Sequence, residues 1–200
     1  MRFRVFKTNV YISFLFVAFF GLLLIFDKTG LFMPAAISAG IHEAGHIFAM
    51  AALKNKPSEI NISPGSFEIV RSCCRSLSGQ AVIQFAGPFF NIVFFGIFYV
   101  FYKIFKIEAL IVFSFCNLCY ALFNLIPSKG LDGGDILYIM LLKKHSPNFS
   151  AVVLDIITGA FAAAALFLLV NSMLSSKIDY RFLILLIYFS VALISGNQNA

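Results

Sequence analysis

The chain has 200 residues, 60% of them hydrophobic and only 12% charged, where a soluble domain carries about 25% charged residues. It holds 26 phenylalanines and no tryptophan, with a net charge of +6. An ordinary soluble domain is excluded, and because the basic residues form no helix-long stripe, so is a nucleic-acid binder.

Long charge-poor stretches divide the chain. A bilayer core of about 30 Å takes roughly 20 apolar residues in a helix. Six spans are predicted, near residues 9–26, 31–53, 79–102, from 109 onward, 152–173 and 181–195. They use most of the chain, so a single transmembrane domain over 1–200 is expected. Arg2, Arg4 and Lys7 precede the first span. That span is too long for a signal-peptide core and no small-residue cleavage site follows it, so it reads as retained.

Orientation follows from the basic residues. With the N-terminus in the cytoplasm, nine lie on that side: Arg2, Arg4, Lys7, Lys54, Lys56, Arg71, Arg75, Lys143 and Lys144. Five lie opposite: Lys28, Lys103, Lys106, Lys177 and Arg181, with Lys129 inside the fourth span. Both termini are therefore expected in the cytoplasm of a multi-pass cell-membrane protein. The excess also suits an anionic inner leaflet.

The second span carries His42-Glu43-Ala44-Gly45-His46, an HExxH motif. Residues four apart share a helical face, about 6 Å of rise apart. Two imidazoles so placed can ligate one zinc ion, and Glu43 beside them can accept a proton from water activated there. Burying these three groups in an apolar span is costly without partners, and a metal ion supplies one.

After this span, Glu59–Ser63 and Ser66–Val70 alternate polar and apolar residues around Pro64-Gly65. The pattern predicts a small β-hairpin. Cys73 and Cys74 fall in the same loop, whereas Cys116 and Cys119 lie in the fourth span. A four-cysteine metal site would need the loop to reach the bilayer centre, so the cysteines read as small packing residues.

The fourth span is broken by Pro127 and by Gly130, Gly133 and Gly134, with Asp132 and Asp135 among them. Irregular backbone at membrane depth is tolerated only where protein or a water-filled cavity satisfies it. A catalytic zinc usually takes three protein ligands and a water, so one ligand remains to be found among Asp132, Asp135, His145 and Asp155. His145 and Asp155 lie near the membrane surface. Asp132 stands 11 residues before Lys143, as His42 stands 11 before Leu53, which puts both about 16 Å from the cytoplasmic helix ends. Depth leaves Asp132 and Asp135 equally open.

Three segments resemble the site-2 protease family of intramembrane metalloproteases. They are His42–His46, then Ala86-Gly87-Pro88-Phe89-Phe90-Asn91, which is similar to an AGPxxN segment, and Asn124-Leu125-Ile126-Pro127 running into Leu131-Asp132-Gly133-Gly134, which is similar to NxxP…LDGG. They come in family order on three successive spans, and the resemblance is close over 31–143. It implies a Zn2+ cofactor held by His42, His46 and Asp132, Glu43 as the catalytic base, and peptide-bond hydrolysis in membrane-anchored protein substrates within the lipid bilayer. It also implies a membrane-associated hairpin near substrate access, and a core without the PDZ and CBS modules of many relatives. Asn91 and Asn124 are candidates for holding an unwound substrate segment. The chain departs from the family's usual pattern at Leu125 and Gly130, where prolines are common. An all-α polytopic fold of about six transmembrane helices is thus expected. The competing reading is a metal or proton transporter, which would more often break paired helices in two repeats.

The topology has a direct check. In intact cells, an impermeant thiol reagent is expected to leave Cys73 and Cys74 unlabelled until lysis; labelling before lysis would invert the orientation.

Overall fold

The computed structural model describes residues 2–5, 8–54, 57–63, 66–71, 76–174 and 180–195. The turn expected at Pro64-Gly65, and Cys73 and Cys74, lie outside the described residues. Elements run in the order β1 (Arg2–Val5), β2 (Thr8–Ile12), α1 (Phe14–Phe26), α2 (Phe32–Ala52), β3 (Pro57–Ser63), β4 (Ser66–Arg71), α3 (Leu77–Phe105), α4 (Glu108–Asn124), α5 (Asp132–Leu142), α6 (Pro147–Leu174) and α7 (Tyr180–Ser195). They form two compact units, residues 1–122 and 123–200.

In the first unit the four strands make one sheet, ordered β1-β2-β3-β4. β3 pairs antiparallel with β4, with Ile60 opposite Ile69 and Ser63 opposite Ser66. On its other side β3 runs parallel to β2, with Asn9 beside Glu59 and Ile12 beside Ile62. β1 pairs antiparallel with β2. β3 is therefore interior, and β4 is an edge strand. The sheet is larger than the two strands expected, and the expected start of the first span is corrected by it. Residues 8–12 are strand, and α1 has 13 residues, about 20 Å of helix.

Asp27 makes the turn into α2. Its carboxylate accepts from Thr29 Oγ1 at 2.6 Å, from the Thr29 and Gly30 amides, and from the Phe32 amide at 2.9 Å. The Thr29 hydroxyl first, then the Phe32 amide, lowers the Asp27 pKa below the ordinary carboxylate value, because both bonds favour the charged form. The core of this unit joins α2 to α3 through Ala49, Met50 and Ile83, flanked by Ile47 and Ala86.

Among the described residues, α3 and α6 are long and apolar enough to cross a membrane, and both are mostly unburied; α1, α4 and α7 are shorter apolar helices. Side chains such as Ile25, Phe167 and Leu174 are 70% exposed or more. Water does not tolerate apolar surface on this scale, whereas lipid does.

The second unit is organised around the interruption between α4 and α5. Its backbone groups find partners on the following helices. The Lys129 amide donates to Thr158 Oγ1 at 3.0 Å, and the Ser128 hydroxyl donates to the same oxygen. Tyr188 Oη donates to the Gly130 carbonyl at 3.2 Å, and Lys129 forms an ion pair with Asp155. Gly130 sits at φ +80°. A proline ring holds φ near −65°, so the proline common in the resembled segment cannot occupy this conformation. Two further glycines let the chain fold back on itself. A Cβ on Gly133 would strike the Leu125 carbonyl, and one on Gly134 the Ser128 carbonyl.

These contacts are rigid backbone, so added volume should be resisted. Gly134→Ala is expected to destabilise the protein by about 1–3 kcal/mol, the usual cost of overpacking. Gly159→Ala on α6, where a Cβ meets nothing within 4 Å, should be neutral or stabilising, since alanine favours helix over glycine by about 1 kcal/mol. Thermal unfolding of the two variants in detergent checks the contrast.

Candidate metal centre

The first unit brings together His42, Glu43, His46 and Asn91. α2 supplies the first three, and Gly45 between them lets α3 approach. A Cβ on Gly45 would come within 2.5 Å of the Ala86 carbonyl oxygen. In return α3 presents Gly87, whose own Cβ would lie 2.5 Å from His46 Nε2 and 2.8 Å from His42 Cε1. Small residues in both motifs thus make one space, and the two imidazoles fill it.

Both rings are buried, His42 at 3% exposure and His46 at 4%. His46 Nδ1 donates to the Ile83 carbonyl at 2.7 Å. A carbonyl only accepts, so that nitrogen carries the hydrogen. His42 Nδ1 is 2.8 Å from Asn91 Oδ1, and the Asn91 amide nitrogen faces two other acceptors, the Ser38 carbonyl and Asn117 Oδ1. The amide oxygen is therefore the atom facing His42, and His42 Nδ1 donates to it. A neutral ring held this way presents a lone pair at Nε2, and the two Nε2 atoms lie 3.1 Å apart. Two lone pairs at this distance repel unless a cation, either a proton or a metal ion, lies between them. Two nitrogens about 2.05 Å from one tetrahedral zinc ion would stand about 3.3 Å apart, so the pair fits that ion. Glu43, the next residue along α2, is half-buried.

In the second unit Asp132 opens α5 and is half-buried, while Asp135 is exposed. Asp155 is taken up by Lys129. His145 is exposed and packs its ring on Phe149 at 4.7 Å. Asn124 ends α4 and is half-buried.

No family model matches the sequence, and no curated protein matches it. Among solved structures, the chain is similar to the Site-2 Protease from Methanocaldococcus jannaschii, with a TM-score of 0.68 at 23% identity, over 99% of this chain and 94% of that one. The chain has the site-2 protease fold.

Within that fold three groups around the imidazoles escaped sequence reasoning. The Ile83 carbonyl has no signature, because any residue supplies it. Asn117 and Tyr120 lie on α4, three residues apart, and the Tyr120 ring meets His42 edge-on with centroids 5.0 Å apart. Asn117 did carry a signal, as an amide within the apolar run Phe113–Ala121, where polar side chains seek partners on neighbouring helices.

Gly87→Ala tests the shared space. The new methyl must displace both imidazoles, so affinity for added zinc, the probe ion, is expected to fall by about 10–100-fold if the pair binds metal, with far-ultraviolet circular dichroism unchanged. Wild-type zinc affinity in this variant would mean that the rings are not held as described.

Proposed function

We propose that this chain is an intramembrane zinc metalloprotease of the site-2 protease type, with 1–200 forming one protease domain of about six membrane-spanning helices. The observation that carries the reading is the imidazole pair, with each Nδ1 facing an acceptor and the two Nε2 atoms turned to one another. The fold likeness to a site-2 protease supports it. So does the large apolar surface of the helices, which suits a bilayer.

His42, His46 and Asp132 each offer one ligand atom of the kind zinc accepts. Asp132 is favoured over its rivals because Asp155 is engaged by Lys129 and because His145 and Asp135 are exposed. Zinc held there would lower the pKa of water toward about 7 and polarise a scissile carbonyl. Glu43 would take the proton from the attacking water and pass it to the leaving amine. The Asn91 and Ile83 bonds keep the two imidazoles in the ligating tautomer, which also raises their basicity as ligands.

The substrate is a membrane-anchored protein, and it must expose its backbone, because a helix hides its peptide bonds. An extended segment can pair with an edge strand through backbone hydrogen bonds. Among the described residues, β4 is the strand of its hairpin with one side unpaired, since β3 is paired on both sides. Asn124 at the end of α4 remains a candidate for holding such a segment. Asn91 is assigned instead to His42, because its amide is already committed to Ser38, Asn117 and His42.

Two substitutions separate the roles. Glu43→Gln is expected to keep zinc while abolishing cleavage of a model membrane substrate. Asp132→Ala should lose both zinc and activity, while Asp135→Ala keeps most of its zinc. Zinc per protein by atomic absorption, alongside a cleavage assay, checks both. A turnover-competent Glu43→Gln variant, or full zinc in Asp132→Ala, would refute the assignment concerned.

A further inference from the structure

We propose that Asn117 is a positioning residue that sets the tautomer of His42, acting through Asn91. Three side chains form a hydrogen-bonded line, and its direction is fixed at two points by backbone carbonyls. Asn117 Nδ2 donates to the Phe113 carbonyl at 2.8 Å. A carbonyl cannot donate, so the nitrogen of Asn117 must face Phe113 and its oxygen must face Asn91. Asn91 Nδ2 donates to that oxygen at 2.8 Å and to the Ser38 carbonyl, also at 2.8 Å. Both amide hydrogens of Asn91 are thereby used, and Oδ1 is left to accept from His42 Nδ1 at 2.8 Å.

Reversing Asn91 would set its oxygen against the Ser38 carbonyl and against Asn117 Oδ1. Both are acceptors. The Nε2–H tautomer of His42 would need that reversal, because its bare Nδ1 requires a donor. The α2 carbonyl of Ser38 and the α4 carbonyl of Phe113, the latter acting through Asn117, therefore decide together that His42 Nδ1 carries the hydrogen. Asn91, Asn117 and Ser38 are all fully buried at 0% exposure, so water does not compete along the line. Tyr120, three residues beyond Asn117 on α4, packs its ring edge-on against His42 and limits rotation of the imidazole.

The zinc arm of this inference rests on the metalloprotease reading; the tautomer arm does not. The chain has three histidines, so 15N-histidine-labelled protein in detergent, stripped of metal with a chelator, gives a countable spectrum. Loss of one signal set in His42→Gln assigns His42. The wild type is expected to show Nδ1–H and a bare Nε2 at His42. In Asn117→Leu, which removes donor and acceptor together, Asn91 is held by the Ser38 carbonyl alone, so the Nε2–H tautomer of His42 should become detectable, and zinc affinity should fall by about 10-fold, the low end of the effect of losing a group that orients a ligand. Asn117→Asp keeps an oxygen facing Asn91 whether or not the carboxyl is charged. It is expected to retain the wild-type tautomer, with zinc affinity nearer the wild type than the leucine variant.

An Nε2–H tautomer at His42 in the metal-free wild type would overturn the proposal without any variant. A wild-type spectrum and wild-type zinc affinity in Asn117→Leu would overturn it too. If the tautomer shifts in Asn117→Leu while the wild type binds no zinc, Asn117 sets the tautomer and the metalloprotease reading is the one that fails.

Discussion

Two imidazoles held nitrogen to nitrogen inside an apolar helix pair are the constraint from which the arrangement around them follows. Left alone, the Nε2 atoms of His42 and His46 would repel at 3.1 Å. The protein forces the approach by fixing the far side of each ring, one to a backbone carbonyl and one to an amide that is itself fixed. It then removes side-chain volume at Gly45 and Gly87, so that α2 and α3 close on the rings. An arrangement that costs energy in the absence of a cation is what a preorganised metal site looks like.

The broken helix in the second unit applies the same economy to a different element. A turn without helical hydrogen bonds is expensive unless its backbone groups find other partners. Thr158 and Tyr188 supply partners for Lys129 and Gly130, and Asp155 neutralises Lys129. Gly133 and Gly134 let the first turn of α5 press against the carbonyls of the preceding loop. Asp132 therefore begins a helix whose start is set by contacts on both sides in sequence, and a side chain carried on such a segment has little freedom to wander.

Much of this was legible from residues alone. The HExxH spacing announces a shared helical face, and a glutamate with two histidines in an apolar run demands partners. Pro127 and the glycines mark the break in the fourth span, which the structure resolves into α4, an interruption and α5. The alternation in 59–63 and 66–70 lies within β3 and β4. What the sequence hid falls into two kinds. The first is the start of the chain, where Thr8–Ile12 forms a strand of the sheet. Its apolar end, Val10-Tyr11-Ile12, runs almost directly into the 13-residue apolar helix α1, and hydropathy averaged over the whole stretch erased the boundary. The second is the support around His42 and His46. A backbone carbonyl such as that of Ile83 leaves no trace in the sequence, and Asn117 could be weighed only once α4 was known to face Asn91.

The central claim is that the imidazole pair belongs to a metal ion rather than to a shared proton. X-ray absorption at the zinc edge on wild-type protein purified without added chelator tests it most directly. The account predicts close to one zinc per chain, coordinated only by nitrogen and oxygen at about 2.0–2.2 Å, with two imidazoles in the fit and no sulfur at about 2.3 Å. Protein that is folded but binds no stoichiometric metal, or zinc held by sulfur, would contradict it.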